Sequence, residues 1–300
     1  MFGSHVGELA ALGTATLWTL SSLTVTAAGK HVGSVAISFL RMAIACALMM
    51  VYGQLVAGSC LPTGADLQTW LLLGISGILG FFFCDACLMK AMLLIGPRLV
   101  LLIYSLTPPL TALASLCIDD VLTLRDWAAM GATLAGVAWV VLERPNRDNP
   151  THSPHNRRWG IALALFATTT SALGMVISRE VMGYYDQPVA ATLIRALASL
   201  PGYIVLITLW RRWPDIIAAA RHRQAMAPLA LGAAMGPFLG NVLIMVALTS
   251  TPAGVVTTIT ATMPVLILPF SVLFYREKIS LRAVGGAFVA VAGVALLMLP

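Results

Sequence analysis

Charge is what this chain lacks most. Only 10% of its 300 residues are Asp, Glu, Lys or Arg, against about 25% in a soluble domain. A water-soluble fold is thereby excluded. Histidine is missing where a proton relay would need it: His5, His31, His152, His155 and His222 all fall near loops. No metal-binding histidine set is therefore expected. The five cysteines are Cys46, Cys60, Cys84, Cys87 and Cys117, four of them in apolar runs. Buried free cysteine behaves as a small apolar residue, so a disulfide framework is not expected. Cys84-x-x-Cys87 would place two sulfurs on one helix face, but no basic neighbour is there to lower a thiol pKa. The G-x-x-x-x-G-K-[ST] phosphate loop is absent, so ATP is not bound in that way, and no cofactor is expected. The N-terminus has neither a basic n-region nor a small-residue cleavage site, so the first apolar segment is expected to remain in the mature protein.

What the chain has in abundance is long apolar runs. It is 59% hydrophobic, with mean hydropathy +0.90. A spanning helix needs roughly 20 mostly apolar residues. Runs of that length occur near 7–28, 34–57, 69–90, 97–117, 124–143, 159–181, 189–210, 227–249, 253–275 and 281–299. Membrane strands would alternate over about 10 residues, and these runs are twice as long. The expected fold is an all-α integral membrane protein with ten transmembrane helices. Only the connections 144–158 and 211–226 are long, which leaves no room for a separate soluble domain.

The ten segments form two sets of five. At an offset of 156, Ala91, Val100, Ile103, Pro108, Leu110 and Ser115 meet Ala247, Val256, Ile259, Pro264, Leu266 and Ser271. At 154, Thr14, Thr16, Val35, Ala36 and Arg41 meet Thr168, Thr170, Val189, Ala190 and Arg195. The chain divides into repeats 1–143 and 159–300 around the loop 144–158. An odd number of spans per repeat makes the second enter the membrane from the opposite side. Inverted repeats of this kind are a mark of secondary transporters, with the site near the midplane between them. The plainer reading is duplication for stability. One chain with both repeats suffices for a functional monomer, and a dimer stays open.

Orientation follows from the cations. Loops between spans 1–2, 3–4, 5–6, 7–8 and 9–10 carry 14 Lys and Arg, and the terminal side only Arg125 and Arg179. By the positive-inside rule both termini lie outside the cell membrane. The basic pI reflects these edges, where lipid head groups sit, and not nucleic-acid binding.

Asp85 is the one carboxylate well inside a span, and an ionisable residue at membrane depth is by default a functional candidate. It is read as the coupling-proton candidate or a partner for a substrate amine; a structural hydrogen bond or a pair with Lys90 is the bland reading. The second repeat has Asn241 in its place. Arg41 and Arg195 can each hold a carboxylate as a bidentate fork or snorkel and cap carbonyls. Because both repeats have one, the structural role is preferred. Pro108, Pro109 and Pro264, with Pro269, interrupt the fourth helix of each repeat, reading as gate, cavity lining or plain kink. Trp18, Ser21, Ser22, Tyr104, Thr107, Thr169, Thr258 and Thr262 complete the expected substrate lining. For the hydroxyls, hydrogen bonding across helices is the commoner use. Glycine stripes at Gly232, Gly236 and Gly240, and at Gly74, Gly77 and Gly80, read as close helix packing.

Three features in order, and in both repeats, resemble the drug/metabolite transporter superfamily, specifically the ten-helix EamA-type exporters. They are Phe39-Leu40-Arg41 with Leu193-Ile194-Arg195, and Thr107-Pro108 with Met263-Pro264. The third is an acidic residue before a glycine-bearing helix: Asp120 with Gly131 and Gly136-Val137, then Glu277 with Gly286 and Gly293-Val294. Asp120 departs from the usual glutamate. The resemblance covers essentially the whole chain and implies export of small polar metabolites, amino acids among them. It also implies cytoplasmic termini, against the charge count. A multidrug exporter of the same fold is the near alternative. A membrane-embedded enzyme is the rival class, with Asp119-Asp120 its nearest candidate pair; a structural or sensory membrane protein is the third.

Overall fold

Hydrocarbon offers no water to a backbone N–H or C=O, so a long apolar run must satisfy its own backbone, and a helix does so. The computed structural model of the protein describes residues 5–28, 34–95, 97–118, 122–143, 154–263, 265–266 and 281–298. Among these, all the regular structure is helical. In chain order the α-helices are α1 (Val6–Ala28), α2 (Ser34–Ala57), α3 (Leu67–Gly77), α4 (Cys84–Ile95), α5 (Pro97–Tyr104), α6 (Thr107–Ser115) and α7 (Leu124–Glu143). They continue as α8 (Pro154–Met182), α9 (Pro188–Leu209), α10 (Trp213–Arg221), α11 (Arg223–Ala233), α12 (Asn241–Ser250), α13 (Ala253–Thr260) and α14 (Leu281–Met298). Six helical stretches among the described residues are both long and apolar enough to cross a membrane. Large apolar side chains such as Leu55, Phe166, Leu173, Val205 and Phe288 face outward. On a soluble protein such a surface would be an anomaly; here it is lipid contact.

The described residues form more helices than the ten expected, for local reasons. Residues Ile78–Phe83 form a π-helical segment joining α3 to α4, and Ala234–Gly240 form another joining α11 to α12. The two lie 156 positions apart, so the repeat extends to this irregularity. The fourth apolar run is broken at Ser105 and Leu106, where Pro108 and Pro109 open α6. Prolines in a first helical turn forgo only an N–H that has no helical partner anyway. The Thr107 hydroxyl donates to the Tyr104 carbonyl at 2.7 Å, and Ser105 Oγ to the Leu102 carbonyl at 2.7 Å. Oxygens at the break are thus satisfied without water. Pro264, Pro269 and Asp119-Asp120 lie outside the described residues. The 211–226 connection contains a short helix of its own, α10.

Helix contacts between the repeats come in exchanged pairs. Helix α1 runs along α11, its π segment and α12, and α8 runs along α3, its π segment and α4. Helix α3 packs on α9, and α11 on α2; α6 faces α13, and α7 faces α14. Contacts that repeat with the partners exchanged are what a two-fold relation produces. The α7–α14 pair makes the most extensive contact, and glycines let its backbones touch. A Cβ on Gly136 would come within 2.6 Å of the Gly286 carbonyl oxygen, and one on Gly286 within 3.1 Å of the Gly136 oxygen.

The two cations on the terminal side cap helix ends. Arg125 Nη2 donates to the Leu296 carbonyl at 3.1 Å, near the end of α14. Arg179 Nη1 donates to the Leu248 carbonyl at 2.6 Å, near the end of α12. Both positions are where orphan carbonyls and the helix dipole favour a cation.

Gly136→Val should pry α7 from α14 and destabilise the protein by about 1–3 kcal/mol, the usual range for overpacking; an unchanged thermal unfolding midpoint would contradict this packing. Asp66 caps α3, accepting the Thr69 amide at 3.0 Å. Hydrogen bonding from the Thr69 hydroxyl and then its amide holds this exposed carboxyl below its usual 3.8. A depressed carboxyl stabilises the fold above its unfolded value and loses that contribution as pH falls through the folded one. Asp66→Asn should therefore flatten the acid side of the stability profile below about pH 4, measured by thermal unfolding across a pH series.

Candidate functional site

Several polar residues at membrane depth gather around the two π segments. A π turn replaces i→i+4 pairing with i→i+5, and such turns are frequent at functional sites. Here the Cys84 N–H reaches the Leu79 carbonyl and the Asn241 N–H reaches that of Gly236. Two carbonyls inside these turns, 156 positions apart, are taken by side chains. Phe81 O accepts the Tyr203 hydroxyl at 2.8 Å, and Pro237 O accepts Asn241 Nδ2 at 3.2 Å.

Asp85 stands just past the first π segment, half-buried. Its partner is Tyr203 of α9, whose hydroxyl lies 2.8 Å from Asp85 Oδ2. Lys90 is exposed. Tyr203, at 2% exposure, thus faces two acceptors with one proton. If Asp85 is ionised, the hydroxyl donates to it and the Phe81 carbonyl loses that donor. If Asp85 is protonated, it donates to Tyr203, which in turn donates to Phe81, and every group is paired. Sequence reasoning missed Tyr203. The available signal was a phenol deep in an apolar segment, since a buried tyrosine hydroxyl usually finds a partner.

Each arginine reaches across to the π segment of the other repeat. Arg41 Nη2 is 3.1 Å from Ser21 Oγ, which itself donates to the Gly232 carbonyl at 2.7 Å. A Cβ on Gly236 would come within 3.0 Å of the same Nη2. Asp85 and Tyr203 are the charged and phenolic groups that act on Arg41 through space. Arg195 stands 4.5 Å over the Phe81 ring, and a Cβ on Gly80 would come within 3.1 Å of its Nη2. The serine link is reproduced with donor and acceptor exchanged: Ser76 of α3 donates to the Gly174 carbonyl of α8 at 2.7 Å. The glycine stripes read as packing also make room for the guanidinium groups.

Other expected residues fall into place unevenly. Tyr104 Oη is 3.0 Å from Ser171 Oγ and 3.9 Å from Cys84 Sγ, beside Asp85. The Trp18 ring lies against Gly240, next to Asn241. Thr107, Thr258 and Thr262 are buried, with their hydroxyls bonded to carbonyls one turn back in their own segments. Ser22 bonds the Thr19 carbonyl. Thr169 faces outward, bonded to the Leu165 carbonyl, away from the cluster. An apolar groove of about 370 Å³ lies outside Tyr203, lined by Phe82, Pro201, Gly202, Val205, Leu206 and Leu209.

The two repeats, each with a π turn and a reaching arginine, coincide with a family match that is itself double. The EamA-like transporter family model covers residues 5–142 and again 158–299. The chain belongs to the EamA-like transporter family. Its two EamA repeats account for nearly the whole length, and membership makes it a multi-pass membrane transporter of the drug/metabolite type. A solved crystal structure superposes with a TM-score of 0.77 at 19% identity, over 98% of this chain and 97% of the other. At that identity the likeness shows the fold alone. Among curated proteins no significant match is found.

In the EamA frame, Tyr203→Phe removes the only proton shared between Asp85 and the Phe81 carbonyl. Leaving buried acceptors unmet costs about 1–3 kcal/mol, so this variant should unfold at lower temperature, while Asp85→Asn, whose amide can donate to Tyr203, should lose less. Equal losses would count against the shared-proton arrangement.

Proposed function

We propose that this EamA protein is a secondary transporter of ten spans in two inverted five-helix repeats. It moves small polar metabolites, amino acids first among them, out of the cell by alternating access. Helical stretches at or within each of the ten apolar runs support the span count, and the exchanged packing supports the two-fold. The cation bias supports cytoplasmic odd-numbered loops with both termini outside. Substrate binds between the repeats, near Ser21, Arg41, Asp85, Tyr104, Trp18 and Asn241.

Asp85 carries the coupling proton. The observation behind this is the chain Asp85–Tyr203–Phe81 carbonyl, in which one phenolic proton serves two acceptors. Gaining a proton at Asp85 lets Tyr203 turn to the π turn of α3–α4; losing it pulls Tyr203 back to the carboxylate. Asn241, a permanent donor, holds the corresponding Pro237 carbonyl in the second repeat. The protonation state of one carboxyl thus changes the bonding of one π turn and not the other. A ligand or proton shifts a conformational equilibrium only through such a difference between states.

The test is counterflow in proteoliposomes preloaded with unlabelled amino acids, with labelled ones outside. Saturable uptake of one class is the expected result. No uptake above empty liposomes, with uptake of amphipathic drugs instead, would replace the metabolite reading by the multidrug one. For the coupling role, Asp85→Asn should abolish accumulation driven by a pH gradient while exchange continues. Equal pH-driven flux in wild type and variant would remove Asp85 from that role.

A further inference from the structure

The two repeats treat their matched arginines differently, and the difference bears on the substrate. Arg41 has Asp85 as a nearby carboxylate and Ser21 Oγ as an acceptor. Arg195 has neither. It is 2% exposed; its Nη1 meets only the Met245 thioether, at 3.9 Å, and its Nε, like that of Arg41, has no hydrogen-bond partner among the described residues. The position that supplies a carboxylate to Arg41 holds Asn241 in the second repeat, and the Asn241 amide is committed to the Pro237 carbonyl. Thr192, one turn before Arg195, bonds the Asn241 backbone carbonyl at 3.3 Å, so the two positions are neighbours.

An arginine kept for structure spends its fork on acceptors, as Arg125 and Arg179 do on helix-end carbonyls in this same protein. Arg195 does not. A buried cation without a counter-ion is costly, and the Phe81 face offsets only part of that cost. The backbone holds it there regardless, because a Cβ on Gly77 would strike the Arg195 main chain. A rigid, desolvated guanidinium with unused donors has the makings of a carboxylate receptor.

We infer that Arg195 anchors an anion site, and that the compounds this protein carries bear a carboxylate that pairs with it. The substrate supplies to the second repeat the negative charge that Asp85 supplies to the first. This inference rests on the transporter reading for its meaning, but binding tests it separately.

The probes are propionate and L-alanine, each compared with its amide, propionamide and L-alaninamide, and with chloride at equal ionic strength. The readout is thermal unfolding of the purified protein, since a ligand that binds only the folded state raises its stability. The two carboxylates should stabilise the wild type and the amides and chloride should not. Arg195→Gln should weaken the carboxylate response by about thirtyfold or more, as loss of one partner of a buried charged pair does. Asn241→Asp should also abolish it, by giving Arg195 an internal counter-ion, and it should fold because it reproduces the first repeat at that position. Equal stabilisation by amides or chloride, no stabilisation by either carboxylate, or an undiminished response in Asn241→Asp would overturn the site. Carboxylate binding that depends on Arg195 without any flux in liposomes would leave the site standing and defeat the transporter reading. Flux indifferent to Arg195→Gln would do the reverse.

Discussion

A polar group inside this protein has no water to fall back on, and the described architecture follows from that one constraint. At the break before α6 and at the two π turns, side chains take over exposed carbonyls. Thr107 and Ser105 do so at the break before α6, and Tyr203 and Asn241 do so at the two π turns. Irregular backbone is tolerated at membrane depth only where protein or a cavity satisfies it. The interruptions therefore mark where polar groups find partners, and the two π turns also receive the arginines.

The near-symmetry of the two repeats makes their differences informative. Both have a π turn at the same register, a glycine that admits an arginine from the other repeat, and a serine–carbonyl link between neighbouring helices. Against that background three positions diverge. Asp85 is matched by Asn241, Tyr203 by Met49, and Arg41, which has a carboxylate nearby, by Arg195, which has none. Asp85 and Tyr203 thus form a titratable pair that bridges the two repeats, and Arg195 is left without a counter-ion among the described residues. In the proposed cycle these unlike residues are where a proton or an anion would favour one state over the other.

Packing distributes rigidity and freedom accordingly. The α7–α14 pair is held backbone to backbone at glycines, which gives van der Waals contact over a long seam. The α1 and α8 helices cross the π turns of the opposite repeat, where close packing at Gly174 and Gly236 is joined by hydrogen bonds such as Ser21 to Gly232 and Ser76 to Gly174.

Much of this was determined by the sequence alone. Apolar length dictated membrane helices, and matched spacings from Ala91 to Ser115 and from Ala247 to Ser271 dictated two repeats, because both signals are local and periodic. Asp85 was conspicuous because a charge in an apolar run needs a reason. The partners of these residues belong to the tertiary structure. Tyr203 lies 118 positions from Asp85, and no spacing rule joins them. The preferred reading of both arginines as structural could not distinguish Arg41 from Arg195, since the difference lies in what surrounds each one. Thr169 looked like its polar neighbours in sequence, yet helical rotation turns it outward. The π turns were invisible to hydropathy, which counts apolar residues but not which hydrogen bond each makes. Sequence patterns record what a segment must bury; which groups then meet across 100 residues or more is decided by how the helices pack.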